Sequence, residues 1–384
     1  MNVRHFIQKS LTILLAATSL SACQMMTEDL SDCPTGLYVN FVYDYNIQRA
    51  DMFKDHVGDI TLYVYDETDR LVAQRTVNGA ALSRYGFNIH FTEQELAPGH
   101  RYRLQALALQ KDWTAALRTP GAKYRHTAMQ KGNSRQQLNV SLDRATRAAA
   151  DYHEVPATAP LDTLWHTLTT LQAAAAEQPA RTSYRLKADG SVQDNGVDSF
   201  LLEEGAPTYA TVSLIRDTKH LNISLRELDN PGNVKHEDYE VFILDDNGDL
   251  DYQNRVIAGS DSLVYRPYAQ WTTTFQGDGV VADENTAHYD LMFNRLMYNA
   301  NTDANAVLCI RRKDTGNNVA VINLPYILAE GRTAYEFNAY SPQEYLDREY
   351  DYRLEFFLRG DRWQYISLHI DVLAWVKRIQ YVEL

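Results

Sequence analysis

One pattern of strands and turns occurs twice, and it constrains the fold more than any other feature of the chain. Leu37-Tyr-Val-Asn-Phe-Val-Tyr43 is followed, across a polar stretch, by Ile60-Thr-Leu-Tyr-Val-Tyr65, the acidic turn Asp66-Glu-Thr-Asp69 and then Leu71-Val72. About 180 residues on, Leu221-Asn-Ile-Ser-Leu225 leads to Tyr239-Glu-Val-Phe-Ile-Leu244, the turn Asp245-Asp-Asn-Gly248 and then Asp249-Leu250. Side chains alternate across a strand with period two, so these runs read as half-buried strands. A unit of this kind that recurs predicts two related antiparallel β-sandwiches in tandem. The 25 tyrosines and closely spaced turn formers agree with an all-β chain carrying few short helices.

The first sandwich is expected over 36–143, with further strands at 87–91, 102–109 and 138–142. The second is expected over 208–384, continuing through 306–311, 319–324, 352–358 and 364–376. Between them, 144–207 turns low in complexity and rich in turn formers, which marks a linker and interdomain segment. Within it, Pro160-Leu-Asp-Thr-Leu-Trp-His166 is too apolar for a free linker and is expected to pack between the domains, with Trp165 and His166 buried. Ser341-Pro342-Gln343-Glu344 has capping-box spacing with Pro at the first helical position, predicting a helix over 342–349. Thr92 and Glu95 repeat that spacing and predict one further turn.

The amino terminus carries an address. Basic Arg4 and Lys9 precede an apolar stretch from about Leu11 to Leu20, too short to span a bilayer, which needs about 20 apolar residues. The stretch ends in Leu20-Ser21-Ala22-Cys23, a box resembling bacterial lipoprotein precursors. Residues 1–22 are therefore expected to be a signal peptide recognised through Leu20, Ser21 and Ala22, with Cys23 lipidated and 23–35 a tether. Several acyl chains hold a protein far more firmly than one, because each buried methylene adds about 0.8 kcal/mol. Removing 1–22 takes away Arg4 and Lys9 and no acid, so the net charge of −13 becomes −15. Such a surface repels nucleic acid and anionic lipid. Of the three cysteines, Cys309 sits in an apolar run and reads as a small buried hydrophobe, so no disulfide with Cys33 is expected. The acidic stretch after Cys23, with Glu28 and Asp29, reads equally as a spacer or as a surface-export signal.

Catalytic chemistry finds no foothold. Asp245, Asn247 and Asp249 begin like a calcium loop, but Leu250 and Val256 stand where Gly and a bidentate acid are needed. A hairpin turn with Asn247-Gly248 at positive φ fits better. The 11 histidines are dispersed without metal-ligand spacing, and no nucleophile elbow, phosphate loop or dinucleotide turn occurs. No cofactor or metal is expected. Asp66-Glu67 could serve as glycosidase carboxylates only if they faced each other across a sugar, and in a turn they read as solvated charge. Trp113, Trp271, Trp363 and Trp375 could stack on sugars, with Trp363 and Trp375 better read as core.

Residues 32–72 carry a resemblance. Asp32-Cys33-Pro34-Thr35-Gly36-Leu37-Tyr38, Tyr43-Asp44-Tyr45-Asn46, Ala50-Asp51-Met52-Phe53 and Asp59-Ile60-Thr61-Leu62-Tyr63-Val64-Tyr65-Asp66 resemble the FimB-like family of fimbrillin-associated anchor lipoproteins. Leu96-Ala-Pro-Gly99 before Tyr102, Asp162-Thr-Leu-Trp-His166, and Trp363 with 370–375 extend the similarity along the mature chain. The resemblance implies two transthyretin-like sandwiches. It also implies an outer-membrane, surface-exposed lipoprotein, held by lipid on Cys23, that anchors fimbriae and limits their length by engaging fimbrillin subunits through strand exchange. Tyr381-Val-Glu-Leu384 is then either the closing strand or the piece handed to the next subunit. A surface glycan-binding lipoprotein, or a fimbrial tip or accessory adhesin, is the alternative.

Overall fold

The computed structural model describes residues 34–146, 152–173, 185–186, 192–193, 197–257, 261–277, 283–360, 362–370 and 375–380. Leu20, Ser21, Ala22, Cys23, Cys33 and the segment 381–384 lie outside the described residues.

Period-two alternation builds β1 (Gly36–Val42), β2 (Asp59–Asp66), β3 (Leu71–Asn78), β4 (Ile89–Phe91) and β5 (Arg101–Leu109). Next come β6 (Tyr124–His126), β7 (Val140–Leu142), β8 (Ala145–Thr146), β9 (His153–Glu154) and β10 (Leu164–Ala173). The short pair β11 (Arg185–Leu186) and β12 (Val192–Gln193), then β13 (Phe200–Leu201) and β14 (Pro207–Arg216), complete the first half. The first sheet runs β3-β2-β5-β10-β14-β1-β4, with β13 on β5. β10 pairs with β5 through 164–166 and with β14 along its length, with a bulge between Thr167 and Thr169. A bulge bends the strand, and the sheet folds onto itself so that Leu37, Val39 and Phe41 share a core with Ile60, Leu62 and Val64. Its two edges meet at Arg75, which bonds the His90 carbonyl and Glu95 and lies over the Phe91 ring.

The second half contains β15 (Lys219–Glu227), β16 (Tyr239–Asp245), β17 (Asp249–Leu250), β18 (Leu263–Tyr265), β19 (Ala269–Phe275) and β20 (Glu284–Phe293). β21 (Val307–Arg312) and β22 (Asn318–Asn323) follow. Helices α1 (Leu324–Ala329), α2 (Ala334–Ala339) and α3 (Pro342–Arg348) lead to β23 (Asp351–Arg359), β24 (Arg362–Ile370) and β25 (Trp375–Gln380). Two sheets, β19-β20-β15-β23-β24-β25 and β22-β21-β16-β18-β9-β8, close over Leu221, Ile223, Val241, Ile243, Leu308 and Phe356. The chain is thus all-β with two sandwiches and few short helices. Antiparallel pairing dominates, but β1–β14, β15–β23 and β18–β9 are parallel.

The division into 36–143, a linker over 144–207 and 208–384 needs correction. β8 and β9 extend a sheet of the second sandwich, β10 lies in the middle of the first sheet, and β14 pairs with β1 although it was expected to open the second domain. β10 is a central strand covered on both faces and lacks the alternation that marks a half-covered strand, whereas in β14 Ala210, Val212 and Leu214 alternate with Thr211 and Ser213 and only its pairing with distant β1 is unreadable from the sequence. The chain crosses between sandwiches three times and changes over for the last time at Asp217 and Thr218. β17 adds to β7 and β6, so a three-stranded sheet takes strands from both halves. Beneath it one apolar cluster runs from Tyr63, Tyr65, Leu107 and Leu109 through Leu138 and Val140 into the second core.

Two turn expectations also change. In the first acidic turn, Asp66 Oδ1 accepts from the Thr68 and Arg70 N–H groups, and Asp69 takes the left-handed conformation. Asn247 and Gly248 do not adopt positive φ. Asn247 is instead buried and bonded to Tyr265 and to the carbonyls of Asn294 and Arg295. A Cβ on Gly248 would stand 2.6 Å from Leu263 Cδ1, so packing explains that glycine. Thr92 and Glu95 close a turn without a helix. α3 begins as expected, with Ser341 Oγ accepting from Glu344 N, but the Glu344 carboxylate bonds Arg348 and does not complete the box.

Candidate functional site

The most chemically elaborate region is the joint where β14 passes into β15. Arg216, Asp217, Thr218 and Lys219 are all buried, an unusual place for three charges. Each has partners among the surrounding groups. Lys219 Nζ donates to the Asp347 and Glu349 carbonyls at 2.9 and 2.8 Å, at the carboxyl end of α3, where a cation also meets the negative end of the helix dipole. Asp217 accepts from His166 Nδ1 at 2.5 Å and from Asn254 Nδ2 at 2.7 Å. Thr218 Oγ1 accepts from Leu164 N and donates to the Asp162 carbonyl. Arg216 donates to the Thr218 carbonyl and lies 4.0 Å over the Tyr350 ring.

Helices of the second sandwich grip a loop of the first across the same joint. Arg348 stacks over Tyr45 at 4.1 Å and Tyr340 at 4.7 Å, and Arg49 donates to the Tyr340 hydroxyl at 2.7 Å. Beneath them Arg295 and Asp347 form a bidentate pair with both contacts at 2.7 Å. Burial pushes the Lys219 amine down to about 7, against the pull of Asp347 and Asp217. Burial would lower Arg295 too, but the Asp347 carboxylate outweighs it and holds the guanidinium firmly charged. Burial raises the Tyr45 hydroxyl, with Asp347 adding to the shift. Such a network fixes one geometry and offers no open face to a substrate.

The expected site residues fare as follows. Leu20, Ser21, Ala22 and Cys23 lie outside the described residues. Trp165 and His166 are buried as expected, and His166 belongs to the joint. Burial pushes the Asp245 carboxyl up to about 7 against the Asp246 N–H, and no group of three metal-ligating side chains occurs among the described residues. Asp66 is spent on its own turn: burial raises it, but the Arg70 and Thr68 donors lower it further. Trp113 is half-buried against His126, Trp363 packs on the core, and Trp271 is 38 % exposed on β19. Cys309 is a free, buried thiol whose pKa burial raises. The joint itself escaped the sequence reading because its ion pairs join residues far apart in the chain. The one signal was the run Arg216-Asp-Thr-Lys219 between two apolar strands.

Two interlaced β-sandwiches joined through a buried polar network define a β-sandwich protein. Residues 30–381 match the family described as fimbrillin-A associated anchor proteins Mfa1 and Mfa2, and the chain belongs to that family. Among solved structures it resembles a putative polysaccharide-binding protein from Bacteroides thetaiotaomicron. The two are 25% identical with a TM-score of 0.62, over 90% of this chain and 99% of that one. A putative adhesin from the same organism is 23% identical with a TM-score of 0.66, over 91% and 100%. The fimbrial anchor protein Mfa2 from Porphyromonas gingivalis is 16% identical with a TM-score of 0.53, over 90% and 99%. No curated protein matches. The family points to a structural role at the cell envelope in association with fimbrial subunits.

Proposed function

We propose that the protein is an outer-membrane lipoprotein that holds fimbriae to the cell surface and limits their length. Residues 1–22 are its signal peptide, Cys23 carries the lipid, and 23–35 is the tether. It engages the basal fimbrillin by β-strand exchange, in which main-chain hydrogen bonds give affinity and alternate side chains give register. The observation that carries this reading is the pairing of Leu20-Ser21-Ala22-Cys23 with an anchor-family match that begins at residue 30. A subunit tethered by lipid cannot be extended on its membrane side, which makes it a terminator. The buried joint supports the same role, because a rigid connection transmits load from filament to membrane.

The test is Cys23→Ala in fimbriated cells, scored by filament length and the fraction shed into the medium. Long, shed filaments are expected; filaments of normal length that stay attached refute the reading. A glycan-binding role has one observation of its own, the partly exposed Trp271 stacked on His288 with centroids 5.0 Å apart. Retardation of the delipidated protein by soluble glycans in an affinity gel would favour that role.

A further inference from the structure

Edge strands present unpaired N–H and C=O groups, and natural sheets guard them with charge, proline, bulges, short length or a covering element. Every edge but one is guarded in this protein, among the described residues. β3 and β4 are bridged by Arg75, the sequence of β25 includes Lys377 and Arg378, and β6, β8, β11, β12, β13 and β17 are two or three residues long. β22 is broken by a register shift against β21 and runs straight into α1. β19 has none of these devices. Its seven residues, Ala-Gln-Trp-Thr-Thr-Thr-Phe, pair with β20 in unbroken register, contain no charge or proline, and end the sheet. Phe275 is 65 % exposed and Trp271 38 %.

We propose that the free edge of β19 receives an extended strand from a fimbrial subunit, a proposal that rests on the fimbrial reading above. Trp271, Thr273 and Phe275 share one face, where Trp271 stacks on His288 and Thr273 Oγ1 bonds its Nε2 at 2.8 Å. Thr272 faces the other way and is held by the His236 N–H. An added strand therefore sets alternate side chains beside Trp271 and Phe275, which favours aromatic or β-branched residues there. Charge defines the rest of the occupant. The seven residues of β19 carry no charge, and the neighbouring carboxylates of Asp290 and Glu284 are already paired with His220 and Arg226, so the matching strand is uncharged along its centre.

The experiment measures binding of the full-length mature chain to fimbriae purified from the same cells, with hydrogen exchange of the bound chain. Amides in 269–275 should gain protection. Thr274→Lys with Phe275→Lys should weaken binding about tenfold or more at an unchanged melting temperature, while Val321→Lys on the guarded edge of β22 should not. Binding that survives the double substitution, or no new protection in 269–275, overturns the β19 assignment and leaves the fimbrial reading standing. Failure of the wild-type chain to bind fimbriae overturns both. Competition by soluble glycans that is lost with Trp271→Ala also overturns the assignment, because the edge would then serve as a sugar platform.

Discussion

Replacing Asp347 by Ala tests whether the joint is a desolvated ionic lock. Its carboxylate makes two 2.7 Å contacts with Arg295 and accepts from Gln343 at 3.1 Å, and its side chain is only 6% exposed. Removing it strands the Arg295 guanidinium, itself 13% exposed, without its bidentate carboxylate. Breaking a buried pair from one side costs about 3–5 kcal/mol. At about 2.1 cal/mol/K of unfolding entropy per residue, a chain of 384 residues loses about 4–6 °C of melting temperature for that cost. Replacing both partners, Arg295→Met with Asp347→Leu, should recover all but about 1 kcal/mol, because well-packed apolar groups commonly equal a buried pair. Urea unfolding followed by the fluorescence of Trp165, fully buried close to the joint, gives both values. A loss below about 1 kcal/mol for Asp347→Ala, or a double variant as unstable as the sum of the singles, refutes the lock.

The buried lysine makes stability depend on pH. Its folded pKa of about 7 lies below the ordinary 10.5, so between these values the unfolded chain binds one more proton and stability rises with pH. The stability of the wild type relative to Lys219→Met should therefore increase from pH 7 to 10 and be flat below 7; a difference that stays flat or falls between pH 7 and 10 counts against it. Gly36→Ala should cost about 2–4 kcal/mol in urea, since φ is +85° and a Cβ would stand 2.3 Å from the Phe91 carbonyl oxygen. Ser341→Ala should cost about 1 kcal/mol by losing the cap of α3 to Glu344 N, read from the same urea midpoint.

What the sequence made legible follows from how each strand is covered. β1, β2, β16 and β21 carry readable apolar patterns, and they lie close to where they were expected. β10, with Thr167, Thr169 and Thr170 among its central residues, is covered on both faces without an apolar run and passed for linker. The repeated acidic turns looked alike, but only the first closes a hairpin: β3 returns to β2, whereas β17 leaves for β7. Local sequence fixes a turn's chemistry, while the partner of the following strand is decided by distant packing. The same limit hid the joint, whose Lys219, Arg295 and Asp347 meet only in the folded chain. β19 was missed for a simpler reason, since a run of threonines between exposed aromatics has no apolar face to betray it.

The topology suits a load-bearing role in the lipid-anchored reading. Tension from Cys23 enters β1 at Gly36 and leaves the first sandwich at the carboxyl end of β14, which continues through Asp217 and Thr218 into β15. β1 and β14 are parallel with seven residues in register, from Gly36 opposite Pro207 to Val42 opposite Ser213. Pulling on the start of one parallel strand and the end of the other slides them past each other, so all the ladder bonds share the load. Between β1 and antiparallel β4, where Leu37 faces Phe91, a pull on adjacent ends would open one pair at a time. Forced rupture follows the unfolding barrier and not the equilibrium stability. Single-molecule pulling with handles at residues 23 and 275 should therefore need clearly more force to break the first sandwich than pulling at residues 23 and 92. Equal rupture forces in the two geometries would show that the parallel pair is an accident of topology and carries no load.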